Sequence, residues 1–160
     1  MTILDASALI NLINGGVLGK VLNLPNRSFA VGPQVLGECA THREIIDPFL
    51  GQALRVLSDD ELSASLFFSL LERYELGIGE TECLTLADQY DGGVCTDDRK
   101  ARNMCTSKIG SDRVLGSVRL LREAVSADLL SPEEAIQAYQ TMKARGAFLP
   151  DVPSDYFLPD

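Results

Sequence analysis

Short apolar runs that end in acidic residues are the feature that most constrains the fold of this chain. Residues 1–4 lead directly to Asp5, and residues 93–96 lead to Asp97 and Asp98. These runs, with Phe29–Val31 between them, have the length of buried strands, and helical stretches separate all three. Strands that alternate with helices form a parallel sheet covered by helices on both faces. The sequence therefore predicts an α/β domain around a central parallel sheet.

The helical stretches carry start signals. Asp5 is a suitable N-cap for a helix over Ala6–Ile13. Ser58 and an acid three residues later predict another helix start, with apolar spacing at Leu62, Leu66 and Leu70. Periodicity leaves residues 45–57 open between a helix and an edge strand over 54–57. Further helices are predicted over 17–24, 34–43, 80–88, 99–105 and 112–125, and from Ser131 onward.

The length of 160 residues suits one domain with a substantial core. We predict a single domain over residues 1–149, whose C-terminal helices begin near residue 112, followed by an extended, proline-containing tail over 150–160. The apolar runs are too short to cross a bilayer, and no basic segment precedes the first of them. We therefore expect a soluble cytoplasmic protein without membrane contact.

Charge and cysteine use limit the classes of function. A single histidine and the absence of a C-x-x-C pair exclude a zinc-finger pattern. The net charge of −9 would repel the phosphates of a nucleic acid. Cations are nevertheless concentrated just after residue 98, where Arg99, Lys100 and Arg102 follow one another closely. A nucleic acid therefore stays within the range of expected partners.

Carboxylates near the predicted strand ends indicate a metal site. The carboxyl ends of parallel strands meet at one edge of a sheet, and carboxylates gathered there repel one another unless a cation joins them. Mg²⁺ and Mn²⁺ prefer such oxygen ligands and support phosphate chemistry. Each acid taken alone is also typical of a helix cap or a turn, except Glu38, whose apolar neighbours predict burial. The candidates are Asp5, Glu38, Glu80, Glu82, Asp97 and Asp98.

Four segments in the same order resemble the motifs of PIN-domain ribonucleases. Leu4–Leu12 is similar to their opening motif, an aspartate after the first strand with a serine two residues later. Val35–Glu38 resembles their second acidic motif. Gly79–Ala87 and Cys95–Arg102 resemble the G-E-x-E and D-D-R-x-A-R motifs of one prokaryotic branch that includes ribonuclease toxins. The resemblance implies a three-layer α/β/α fold with a helical C-terminal extension.

The resemblance also implies roles for individual residues. Asp5 becomes a metal ligand with Ser7 near the metal or its water, and Glu38 becomes a second acid of the site. Glu80 is the preferred third acid, although Glu82 stays open as a ligand. Asp97 and Asp98 both stay open as the fourth, and Asp98 is the catalytic candidate. Beside the substrate we place Arg99, Lys100 and Arg102.

The function implied by the resemblance is endonucleolytic cleavage of RNA with Mg²⁺ or Mn²⁺, which leaves a 5′-phosphate. It also implies a toxin held inactive by an antitoxin protein, and a homodimer. The alternative is a catalytically silent PIN-like module that binds RNA or a protein. An aspartyl-phosphate phosphatase is disfavoured, because Ser7 stands where such an enzyme needs a second aspartate.

Overall fold

The computed structural model describes residues 1–153 and 155–158. Its centre is a sheet of five parallel strands in the order β3-β2-β1-β4-β5. Strands β1 and β2 are completely buried, as strands covered on both faces should be. The strands are β1 (Thr2–Leu4), β2 (Phe29–Val31), β3 (Leu54–Val56), β4 (Gly93–Cys95) and β5 (Val114–Leu115).

Two groups of helices cover the sheet, which confirms the predicted three-layer α/β/α fold. In one group α1 packs against α2, α8 and α9; in the other α6 packs against α3, α5 and α7. Helix α6 is buried along most of its length, because it also lies against β1 and β4. The helices are α1 (Ala6–Asn14), α2 (Leu18–Leu22), α3 (Pro33–Glu38), α4 (Arg43–Ile46), α5 (Ala64–Tyr74), α6 (Ile78–Gln89), α7 (Arg99–Ile109), α8 (Ser117–Ser126) and α9 (Pro132–Ala144).

Strand order brings the acidic segments together. Strand β1 lies between β2 and β4. The chain first adds β2 and β3 on one side of β1 and then adds β4 and β5 on the other side. The backbone N–H of Asp5 donates to the Cys95 carbonyl at 3.0 Å, which aligns the carboxyl ends of β1 and β4. A crevice at such a reversal of strand order is where open α/β sheets bind ligands.

The predicted helix over residues 112–125 is wrong in its first part. Residues Ser111–Arg113 form a 3₁₀ turn, Val114–Leu115 form the edge strand β5, and α8 begins only at Ser117. The open edge of β4 accounts for the difference, because Thr96 N–H donates to the Leu115 carbonyl at 2.9 Å. A strand of two residues has too little periodicity to be recognised from sequence.

Three further segments differ from prediction. Ser58 caps only a 3₁₀ turn over Asp59–Glu61, and α5 begins after Ser63, whose hydroxyl accepts the Leu66 N–H. Helix α3 ends at Glu38, and a 3₁₀ turn follows it over residues 40–42. The tail is not simply extended, since a turn over residues 155–157 buries Phe157. Ser154, Pro159 and Asp160 of the predicted tail lie outside the described residues.

Strand β3 decides between the two structures that the sequence left open for residues 45–57. It confirms the predicted edge strand.

In the described part of the chain, no helix combines the length and apolar character needed to cross a membrane.

Candidate active site

Asp5 is held in a fixed orientation at the end of β1. Its Oδ2 atom accepts hydrogen bonds from the Ser7 hydroxyl at 2.6 Å and the Thr96 hydroxyl at 2.8 Å. The residue is only 4% exposed. Its other oxygen, Oδ1, accepts no hydrogen bond from the described residues, so half of the carboxylate stays available for a ligand.

Thr96 joins the two strand ends. Besides its bond to Asp5, its hydroxyl accepts a hydrogen bond from the Asp98 backbone N–H at 3.2 Å. Ser7 makes the reciprocal connection, because its hydroxyl accepts the Asp97 N–H at 3.0 Å. These hydroxyls set the position of the acidic segment after β4 relative to Asp5. Sequence reasoning missed Thr96 as a site residue, although its place directly before two acids was a signal.

Glu38 at the end of α3 lies near enough to Asp5 and to Glu80 of α6 for the charges of both to act on it. Partial burial raises the pKa of Glu38, and the negative charges of Asp5 and Glu80 raise it further. A hydrogen bond from the Gly79 backbone N–H lowers this pKa by a smaller amount. The Glu38 carboxyl packs so closely on Gly79 that a Cβ there would overlap it. The prediction that Glu38 is buried is wrong, because it is the last residue of α3 and is exposed as a whole.

Glu80 and Glu82 have different surroundings, although they are two positions apart. Glu80 uses Oε2 to accept the Gly77 N–H at 2.9 Å and is half-buried. Glu82 is 1% exposed and accepts the backbone N–H groups of Gln34 at 3.2 Å and Val35 at 3.3 Å. Both Glu82 oxygens are therefore engaged in holding the first turn of α3, the helix that ends in Glu38.

Asp97 is buried and uses both carboxylate oxygens inside the protein. Oδ1 accepts the Ser117 backbone N–H at 2.9 Å, and Oδ2 accepts the Ser117 hydroxyl at 2.6 Å and the Asn11 amide at 2.7 Å. Arg102 Nη2 lies 3.6 Å from Oδ1. Asp97 thereby ties the end of β4 to α8 and α1. Asn11 and Ser117 carried no sequence signal for this role, since their partner is distant along the chain.

Asp98, by contrast, is exposed at the start of α7. Its Oδ1 atom accepts the Ala101 N–H at 2.7 Å as an N-cap. Oδ2 accepts no hydrogen bond from the part of the chain that the structure describes. The two neighbouring aspartates therefore differ, because Asp97 faces inward and Asp98 faces solvent.

The three cations predicted to lie near the substrate also differ. Arg102 turns inward, where Nη2 donates to the Thr96 carbonyl at 2.8 Å. Lys100 donates from Nζ to the Glu75 carbonyl at 2.7 Å. Arg99 is exposed and makes no ion pair or hydrogen bond with residues 1–153 or 155–158. Of these three cations, Arg99 is therefore the exposed one for which the described part of the chain provides no partner.

A groove of ≈ 890 Å³ opens beside Asp98. Its walls come from α1, the start of α7 and the segment after α9. Ser7, Asp98, Arg99 and Phe148 are among the residues that line it. Asp5 does not line the groove itself but bonds to the hydroxyl of Ser7, which does.

The acids suit a divalent cation in their chemistry, although they do not form a closed cage. Among the described residues, no three His, Cys, Asp or Glu side chains are close enough together to hold one ion. Mg²⁺, however, usually keeps several waters and uses only one or two carboxylates plus substrate phosphate. Asp5, Glu80 and Asp98 each have one oxygen without a hydrogen bond among the described residues. Such an open set of hard oxygen donors fits Mg²⁺ or Mn²⁺.

A pair of substitutions tests the difference between Glu82 and Glu80. We expect Glu82→Gln to lower the free energy of unfolding by about 1–2 kcal/mol, because an amide NH₂ would face a buried backbone N–H. Glu80→Gln is the matched control and should lower it by less than about 1 kcal/mol, since Gln keeps one oxygen for the Gly77 N–H. Urea unfolding of both variants measures the difference. Equal losses would show that Glu82 has no special role in holding α3.

Comparison with known proteins agrees with the architecture. A sequence model of the PIN-domain family matches residues 1–156, nearly the whole chain. No curated protein and no solved structure gives a significant match. Proteins of this family have a nuclease-type fold and typically bind divalent metals. Since the family match spans the sheet, both helical layers and every candidate acid, the chain belongs to the PIN-domain family.

Proposed function

We propose that this protein is a metal-dependent endoribonuclease that hydrolyses RNA phosphodiester bonds. The observation that carries the proposal is the placement of acids near the end of β1. Asp5 leaves Oδ1 without a hydrogen bond from the described residues, and the Glu38 carboxyl packs on Gly79, directly before Glu80. Like charges held together in this way need a counter-charge, and clefts with such groups are typical of catalytic sites. In this proposal an extended substrate lies in the groove lined by Asp98 and Ser7, next to Asp5.

The acids take two kinds of role in this proposal. Asp5, Glu80 and Asp98 are the candidate ligands, and one or two of them at a time would hold Mg²⁺ or Mn²⁺ with the oxygens they leave free, beside water and the substrate phosphate. Glu82 and Asp97, which the sequence left open as ligands, act instead as positioning residues, because their oxygens are committed to backbone and side-chain donors. The bound cation supplies Lewis-acid stabilisation of the phosphate and lowers the pKa of a water molecule.

Glu38 is the proposed general base. Its pKa is raised by partial burial and by the charges of Asp5 and Glu80, so it holds a proton more readily than an ordinary glutamate. One Oε atom would accept the proton of the attacking water. A new bond would form between the water oxygen and phosphorus as the bond from phosphorus to the 3′-oxygen breaks. The leaving 3′-oxygen would take a proton from solvent water and become a 3′-hydroxyl, and the phosphate would stay on the 5′-oxygen. Ser7 and Thr96 keep Asp5 in place during this step.

The toxin role, the antitoxin partner and the homodimer are further parts of this proposal. A basic side chain from an antitoxin would pair with the uncompensated acids at the strand ends. For the homodimer, α5 offers Phe68, which is 62% exposed and packs edge to face on Phe67. The molecular mass of the protein in solution, which gives the number of subunits, tests for the homodimer directly.

One observation favours the alternative of a catalytically silent module that binds RNA or a protein. Three acids do not converge on a common point in the part of the chain that the structure describes. A silent module would bind its partner with the same surface but leave the RNA chain intact.

Removal of the metal distinguishes the metal-dependent endoribonuclease from the catalytically silent module. We expect the purified protein to cleave members of a mixed RNA panel with Mg²⁺ or Mn²⁺, to stop in EDTA, and to resume when excess Mn²⁺ is added. The products should carry 5′-phosphates, which a 5′-phosphate-dependent exonuclease detects. Cleavage that persists in EDTA would contradict the metal requirement. A folded protein that cleaves no RNA would favour the silent module.

A further inference from the structure

Phe148 is the most exposed large apolar residue in the described part of the chain. Its side chain is 97% exposed, compared with 62% for Phe68 on α5. It lines the groove that also holds Ser7, Asp98 and Arg99. An aromatic ring left in water contributes almost nothing to the folded core, and this ring lies in the same groove as Asp98 and Arg99, where it is accessible to a ligand.

The fold holds the backbone around Phe148 in place. Gly146 ends α9 with a φ of +93°, and the Ala147 N–H donates to the Met142 carbonyl at 3.0 Å. On the other side Leu149 is buried, and the Tyr139 hydroxyl donates to the Pro150 carbonyl at 2.9 Å. Phe148 is therefore presented by a backbone anchored before and after it.

Charge indicates what the ring contacts. The net charge of −9 opposes binding of a polyanion, and two of the three nearby cations are engaged with backbone carbonyls. Arg99 is left to meet a phosphate. A strand bound here therefore needs a contact that does not depend on charge. Stacking of a nucleobase on an aromatic ring is such a contact, and every base has a face for it.

We propose that Phe148 is the stacking platform for one unpaired nucleobase of a single-stranded RNA whose backbone passes Arg99 toward the acids. This inference rests on the proposed function, in which the groove receives RNA. It restricts the substrate to single-stranded or looped segments, because the bases of a duplex are already stacked on one another. Phe148 would bind and orient the strand without taking part in the chemical step.

Binding of a fluorescent single-stranded RNA of about ten nucleotides tests the inference. The background is Asp98→Asn with Mg²⁺, and a gel confirms that the RNA stays intact. We expect Phe148→Ala to weaken binding about 5- to 150-fold. Phe148→Tyr should bind like the parent. Ile45→Ala is the control that should also leave affinity unchanged, because Ile45 is an exposed apolar residue of α4 that does not line the groove.

An abasic scan identifies the contacted base. In this scan each nucleotide of the RNA is replaced in turn by an abasic one. At one position the abasic RNA should lose about the same affinity as Phe148→Ala, and combining the two changes should cost no more than either alone. If the affinity losses from Phe148→Ala and from the abasic nucleotide add fully at every position, the proposed stacking of a base on Phe148 is wrong.

Salt dependence separates stacking from charge. Phe148→Ala should shift the plot of log Kd against log[salt] without changing its slope. Arg99→Ala should reduce the slope by about 0.7, the value for one phosphate contact with a single strand. A changed slope in Phe148→Ala would overturn the assignment, because it would indicate lost phosphate contacts.

The outcomes also separate this inference from the proposed nuclease. If wild-type protein cleaves RNA and Phe148→Ala binds and cleaves as well as wild type, the inference fails and the nuclease stands. If no RNA is cleaved but base-dependent binding requires Phe148, the inference stands and the nuclease fails. Unchanged RNA affinity together with lost self-association in Phe148→Ala would overturn the inference in favour of a protein contact.

Discussion

Asp97→Ala is expected to lower the free energy of unfolding by about 3–6 kcal/mol. The substitution removes the acceptor for the Ser117 N–H, the Ser117 hydroxyl and the Asn11 amide, all of which are buried. A buried donor without a partner costs about 1–3 kcal/mol, and Arg102 would also lose its neighbouring charge. Because whole domains are stable by only about 5–15 kcal/mol, this is a large fraction of the total.

The neighbouring aspartate supplies the control for this prediction. Asp98→Ala removes one N-cap bond to Ala101 on an exposed residue and should cost only about 0.5–2 kcal/mol. Urea unfolding measures both values, and thermal unfolding should show a fall in Tm of roughly 10–20 °C for Asp97→Ala. If Asp97→Ala stays within about 1 kcal/mol of Asp98→Ala, Asp97 does not tie β4 to α1 and α8.

The general placement of the acids could be predicted from the sequence. Asp5 and the pair at 97–98 directly follow apolar runs, and parallel strands bring such positions to one edge of the sheet. The motifs around Glu38 and Glu80 then indicated the PIN-domain family, which the family match confirms. These inferences depend on local pattern and on the order of the motifs, and both can be read from a single sequence.

The different surroundings of neighbouring acids could not be predicted in the same way. Residues two apart on a helix point to nearly opposite sides, so Glu80 and Glu82 lie in different environments. Which of the two is buried depends on where α3 packs, because its first N–H groups bond to Glu82. For Asp97 and Asp98 the answer depends on α8, which lies twenty residues further along the chain. Tertiary packing decides which of two neighbouring acids is buried, and the local sequence pattern contains no information about that packing.

Asp5→Asn is expected to slow RNA cleavage by at least about 10²-fold. Asparagine has the same shape and keeps an oxygen to accept from Ser7 and Thr96, but it lacks the negative charge that attracts a cation. The folded structure should survive, because no buried donor loses its acceptor. The charge that helps to raise the pKa of Glu38 is also removed, so Glu38 becomes a weaker base.

A matched control is Asp91→Asn. Asp91 lies on the surface before β4, where Arg113 contacts its carboxylate at 3.1 Å and the side chain is 94% exposed. Its backbone φ of 50° is one that asparagine tolerates well. This variant loses one negative charge, as Asp5→Asn does, but far from the acids at the strand ends. Its cleavage rate and its stability should equal those of wild type.

The most direct test of metal-dependent catalysis by these acids is the single-turnover rate of RNA cleavage at saturating Mn²⁺ for wild type, Asp5→Asn and Asp91→Asn. We expect the rate to fall at least about 10²-fold in Asp5→Asn alone, while the free energy of unfolding of this variant stays within about 1 kcal/mol of wild type. Cleavage by folded Asp5→Asn at the wild-type rate would contradict this expectation.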